Sequence, residues 1–306
     1  MFPMETFDVT LVNMEANLDL STPEAPRMPR RPPLRERLGF MALQSAFRVG
    51  SILAPEVTAE RALHYFMAPV RIPRPGWENE TLKSARRITL KNGLKAYAWG
   101  RGPRVLIVHG WDGRGTQMAR VAMAVAEAGF EAVAVDLPGH GDSPGGMLHA
   151  GSAKDALLQV GEELGPFHAI IGHSFGASAS LYAVYQGLDA GRVIYISGHS
   201  NYIDLFDRYC AWVGVFGRAR EIFGEKVAAL VEVDPAESYP AVWVKKIDQP
   251  ALIIHDRDDE DAPFSDGEQM HRAWKGSRFL RTFGLGHRRV LKSKEVIAEV
   301  VSFLRT

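Results

Sequence analysis

Five short apolar runs, at 105–109, 132–136, 169–172, 193–197 and 251–255, carry no charge before their last residue. An uninterrupted run of this length is the pattern of a strand covered on both faces. Segments with helical apolar spacing, 116–128, 152–164 and 175–186, separate them, and 264–275 and 293–304 follow. Strand and helix in alternation predict a mostly parallel sheet with crossover helices on both faces. A hairpin at 86–91 and 94–99, joined by Asn92-Gly93, precedes the runs, and a less apolar strand at 277–283 closes them.

Two stretches stand outside this alternation. Residues 1–33 hold six prolines, which disfavour helices and central strands, so an extended arm or a disordered tail is expected there. From 34 to 53, Leu38, Met41, Leu43, Phe47 and Ile52 recur at helical spacing between Arg35, Arg37 and Arg48, and a second helix follows the Pro55 break at 58–67. The apolar run of this basic helix is interrupted at Arg48 and too short to span a bilayer, so an arm packed on the main body is the preferred reading. A peripheral lipase role for that helix stays open beside it. Between Gly198 and Pro250 the alternation breaks again, for longer than an ordinary connection. Phe206, Tyr209, Trp212 and Phe216 lie there at helical spacing, which predicts a helical cap over about 199–249 whose aromatic stripe is either core or the wall of an apolar pocket. The expected domains are 1–75, a proline-rich arm with helices, and 76–306, the sheet domain carrying the cap.

Composition narrows the function. A chain of 306 residues, 46% hydrophobic and 24% charged, buries a large core. Its 36 basic and 36 acidic side chains balance, which argues against nucleic acid as a partner. Cys210 is the single cysteine, which excludes an internal disulfide and any cysteine-held metal site. No basic patch followed by an apolar run opens the chain, and a cytoplasmic location is expected.

The strongest local signal is Gly172-His173-Ser174-Phe175-Gly176, set between a predicted strand and a predicted helix, the context of a nucleophile elbow. A serine hydroxyl attacks only when a base takes its proton. An acid-rich turn, Asp256 to Pro263, follows the run at 251–255, and Gly286-His287 follows the last strand. The order serine, acid, histidine is the one expected when three loops leave the carboxyl edge of one sheet. His109-Gly110-Trp111 ends an earlier strand, where a backbone N–H can join that of Phe175 in holding an oxyanion. The turn Asp136 to Ser143 contains His140, for which a structural role is expected, since no zinc-spaced partners accompany it. Calcium is disfavoured, because Asp261 and Gly267 stand where an EF-hand loop needs glycine and glutamate. No phosphate-binding glycine loop is present, and no cofactor is expected.

These five ordered motifs, from His109-Gly110-Trp111 to Gly286-His287, resemble those of the α/β-hydrolase-fold serine hydrolases, in their esterase and lipase-like part. The resemblance covers roughly 88–304. It implies an α/β-hydrolase fold with Ser174 as nucleophile, Asp259 as triad acid and His287 as base, Trp111 and Phe175 as oxyanion donors, and the insertion as a lid. Asp256 stands where the family often has glycine, and Asp256 or Asp258 is an alternative partner for His287. The function so implied is cleavage of a carboxylic ester with an apolar acyl group through an acyl-enzyme. Thioester, amide and carbon–carbon bonds yield to the same three residues, and a non-catalytic ligand-binding protein of this fold is the reading from another class.

Overall fold

The computed structural model describes residues 34–231 and 239–306. The proline-rich arm at 1–33 and part of the 199–249 insertion lie outside the described residues.

Eight strands form one sheet: β1 (Arg86–Thr89), β2 (Lys95–Gly100), β3 (Arg104–Val108), β4 (Glu131–Val135), β5 (Ala169–His173), β6 (Val193–Ile196), β7 (Ala251–Asp256) and β8 (Arg278–Thr282). Their order is β1-β2-β4-β3-β5-β6-β7-β8. The first three pair antiparallel and the rest parallel, so this is the mostly parallel α/β-hydrolase arrangement the motifs imply. Alternate strand residues enter different cores. Leu106, Val108, Ile170 and Ile253 pack with one set of helices, whereas Val105, Ile107, Ile171 and Ile254 pack with the other. Both faces are covered, which is why the runs read as continuous rather than alternating.

On the first face lie helices α5 (Ala150–Leu164) and α6 (Phe175–Tyr185); on the second, α4 (Ala119–Glu127) and the last helix, Lys294–Leu304. Two short helices, α3 (Gly76–Lys83) and α9 (Pro240–Trp243), are too brief to show a helical period in the sequence. The expected helix at 116–128 begins as a tight turn, Gly115–Met118, before α4. Pro55 starts a helix rather than breaking one, because at the first helical position its missing N–H has no intrahelical bond to lose.

Helices α1 (Leu34–Leu53) and α2 (Pro55–Met67) pack with the insertion's α7 (Tyr202–Val213) and α8 (Gly217–Val231). Phe47, Ala59, Ala62, Val213, Ile222 and Phe223 form the apolar cluster between them, apart from the two cores of the sheet. This helical layer is tied back to the sheet through the strap that follows α2, where the Val70 amide donates to Asp112 at 2.7 Å.

Strand order places the site. From β3 the chain moves outward to β4, then returns to β5 on the other side of β3, which opens a crevice at their carboxyl ends. The pairing of Val108 with Gly172 brings the loop after β3 beside the turn after β5.

Candidate active site

Ser174 occupies that turn with φ 55° and ψ −124°, a conformation L-residues rarely adopt and one that costs about 1–3 kcal/mol. The flanking glycines permit it. A Cβ on Gly172 would lie 2.4 Å from the Ala177 Cα, and one on Gly176 would lie 2.2 Å from the His109 carbonyl oxygen. Side chains at either position would push β5, α6 and β3 apart.

The Ser174 hydroxyl donates to His287 Nε2 at 2.9 Å. His287 Nδ1–H donates in turn to Asp259, at 2.9 and 3.0 Å from its two oxygens. Asp259 also accepts the amides of Asp261 and Ala262. Burial opposes ionisation of this carboxyl, but the His287 bond and charge and the Ala262 amide outweigh burial and hold it below the usual carboxylate range. The structure thus brings together the three residues expected as nucleophile, base and acid.

The other aspartates of the turn are also engaged. Asp256 is fully buried and accepts from the amides of Gly286 at 2.9 Å, Leu285 at 3.1 Å and Asp258 at 3.0 Å, and from the Thr282 hydroxyl at 2.7 Å. Asp258 accepts the Gly284 amide at 2.8 Å. Asp256 and Asp258 therefore bind the backbone leading to His287, while Asp259 alone binds its ring. Burial works against the Asp256 anion, yet the Gly286 amide, the Thr282 hydroxyl and the two further amides hold its pKa down.

Trp111 and Phe175 lie side by side, their ring centroids 5.2 Å apart in edge contact. Among the described residues, neither backbone amide has an acceptor. Buried histidines fix the loops around them. His109 donates from Nδ1 to the Gly110 carbonyl at 2.7 Å and accepts the Leu137 amide at Nε2 at 3.0 Å. His140 repeats the pattern, donating to Pro138 and accepting the Asp112 amide. His140 is a link between two loops, which is the structural role the glycine turn suggested. His173, inside the elbow, donates from Nε2 to the His287 carbonyl at 2.8 Å. Sequence reading missed the work of His109, His173 and Asp256, although all three sit within the motifs that identified the site.

The aromatic stripe is placed elsewhere. Phe206 and Tyr209 contact Phe66 and Phe223 within the helical layer, Trp212 lies against Phe40 and is 59% exposed, and Phe216 is 45% exposed. The described contacts of all four are to the layer and solvent, not to Ser174. For Phe206 and Tyr209 the helical spacing reflects helix-to-helix packing, whereas Phe216 lies in the link between α7 and α8, outside any helix. Among the described residues no cluster of ligating side chains suited to a metal ion occurs.

The sequence matches the Alpha/beta hydrolase family over residues 105–300, and the chain belongs to that family. Comparison with curated proteins gives no match. Among solved structures, the chain is similar to a candidate lipase from Acinetobacter baumannii, with 20% identity and TM-score 0.59 over 77% of this chain and 97% of the other. It is similar to an esterase from Exiguobacterium antarcticum, with 19% identity and TM-score 0.54 over 72% and 99% of the two chains. A meta-cleavage product hydrolase from Pseudomonas fluorescens gives 17% identity and TM-score 0.55 over 73% and 98%. At these identities the likeness establishes the fold.

Proposed function

We propose that the chain is a cofactor-independent serine hydrolase that cleaves a carboxylic ester through an acyl-enzyme. The unbroken hydrogen-bonded line from Ser174 through His287 to Asp259 carries this reading. As the Ser174 oxygen attacks the acyl carbon, its proton passes to His287 Nε2, and the Asp259 anion stabilises the imidazolium and holds its tautomer. The amides of Trp111 and Phe175 donate hydrogen bonds to the oxyanion that forms on the carbonyl oxygen. His287 returns the proton to the leaving alcohol. Water then repeats the attack with His287 as base, and the acid departs. Membership of a hydrolase family supports a small-molecule substrate. The strained serine supports attack rather than binding alone, since a ligand sensor has no need to hold a nucleophile at φ 55°.

The test is hydrolysis of a p-nitrophenyl ester series from short to long acyl chains, with Ser174→Ala beside the wild type. Expected is turnover that falls at least about 10³-fold in the variant, with a chain-length optimum that reports the acyl site. A folded wild type no faster than Ser174→Ala on every ester would overturn ester cleavage. Labelling of Ser174 by a fluorophosphonate in that same protein would leave an activated serine acting on another acyl bond.

A further inference from the structure

We propose that the outward face of α1 docks on an anionic phospholipid surface. The helix has two apolar faces. Phe47 points inward to the cluster shared with α2, α7 and α8. On the opposite side, Leu38, Met41, Val49 and Ile52 fall on one stripe at helical spacing and are 55%, 57%, 55% and 71% exposed. Ser45, also exposed, sits between the two pairs on that stripe; large side chains left open along one face, rather than singly, mark an interaction surface.

Charge identifies the occupant. Arg35 and Arg37 stand at the start of the stripe and Arg48 near its end, all exposed, and among the described residues none of them is in an ion pair. An apolar stripe edged by arginines matches a bilayer of anionic lipid, whose acyl boundary takes the stripe while its headgroups take the guanidinium groups. On the flank of α1 beside this stripe, Trp212 is an exposed ring resting on Phe40 with centroids 4.6 Å apart. An indole with one apolar flank covered and its edge open suits the headgroup level. Among the described residues no helix is long and apolar enough to cross a membrane, so α1 lies on the surface rather than through it. This inference does not rest on the proposed hydrolysis, since binding is read without turnover.

The experiment is co-sedimentation of the full chain with vesicles of phosphatidylglycerol and phosphatidylcholine, and with phosphatidylcholine alone. Expected is pelleting with the anionic vesicles that weakens at high salt and falls at least tenfold in Leu38→Glu/Ile52→Glu. Both positions are exposed, so circular dichroism and turnover of a soluble short-chain ester stay at wild-type values. Arg35→Gln/Arg37→Gln is expected to lose much of the preference for the anionic vesicles. The proposal is overturned if the wild type stays in the supernatant, if Leu38→Glu/Ile52→Glu pellets as the wild type does, or if both vesicle types bind equally. A lipid-free dimer in sedimentation equilibrium that the same double variant splits also overturns it, by making a second copy the occupant. Absence of ester turnover in wild type and variants alike would count against the proposed function and leave the vesicle result standing.

Discussion

At the scale of single residues, the acid turn divides three tasks among three aspartates. Asp259 meets the ring of His287, Asp256 grips the amides of residues 285 and 286 just before it, and Asp258 holds the amide of Gly284. Where the family resemblance leads one to expect glycine, this chain has a buried carboxylate that fixes the approach of the histidine. Replacing Asp256 by asparagine keeps one acceptor oxygen and turns an NH2 group toward backbone donors, so the loop shifts. Because a displacement of an ångström in a catalytic group costs roughly 10²-fold, kcat for Asp256→Asn is expected to fall about that much with KM nearly constant. Asp259→Asn removes the control of the tautomer, for which the expected loss is roughly 10⁴-fold. Steady-state kinetics of the two variants on one ester separate the roles. Wild-type kcat in Asp256→Asn would show that the grip is dispensable, and a larger loss there than in Asp259→Asn would reverse the assignment.

At the scale of elements, the sheet was legible because each central strand is buried on both faces, and that burial leaves an uninterrupted apolar run. The tight turn at Ser174 was legible because a strand, a strained serine and a helix with no room for side chains at Gly172 and Gly176 leave a fixed local signature. The helical layer was not. Its stripe of Phe206 and Tyr209 has the same spacing whether it faces a substrate or another helix, and the deciding partner, Phe66 on α2, lies far away in the chain. Asp256 was opaque for a related reason, since its partners belong to a loop about thirty residues later and no spacing rule links an aspartate to backbone amides. The structure assigns Phe223, fully buried among Phe66, Phe206 and Tyr209, to the centre of the layer. Phe223→Ala is therefore expected to lower the unfolding free energy by about 3–5 kcal/mol, the usual cost of deleting a buried ring. Urea denaturation checks it. A loss under about 1 kcal/mol would mean that the layer contributes little to cooperative stability.

At the scale of the whole molecule, the loops at the carboxyl edge are joined by histidines that must stay neutral. Burial pushes His109 down to about 3, aided by the neighbouring His140. Burial and the adjacent His287 take His173 to about 3 as well, while His140 and His255 are lowered chiefly by burial. Protonating His109 or His140 would turn the Nε2 that accepts an amide into a donor facing a donor. An unfolded imidazole binds its proton at about pH 6.5, so between there and the depressed folded values the unfolded chain holds more protons, and stability falls as pH falls. The slope is up to about 1.4 kcal/mol per pH unit for each such histidine. The depressed carboxyls of Asp256, Asp259 and Asp266 act in the same direction but lower, since their contribution is complete above the unfolded value of about 4 and is lost only as pH drops through their folded values. Asp136, raised by burial, opposes the trend by at most one proton. Stability lost between pH 7 and pH 5 therefore belongs to the histidines, and about 2–4 kcal/mol is expected from His109 and His173 together. Urea midpoints at the two pH values measure it, and a His109→Asn/His173→Gln variant, whose amides cannot be charged in this range, is expected to show a shallower change even if its midpoint at pH 7 is lower. A midpoint that stays level from pH 7 to pH 5 in the wild type would mean that these rings take up protons without loosening the loops they join.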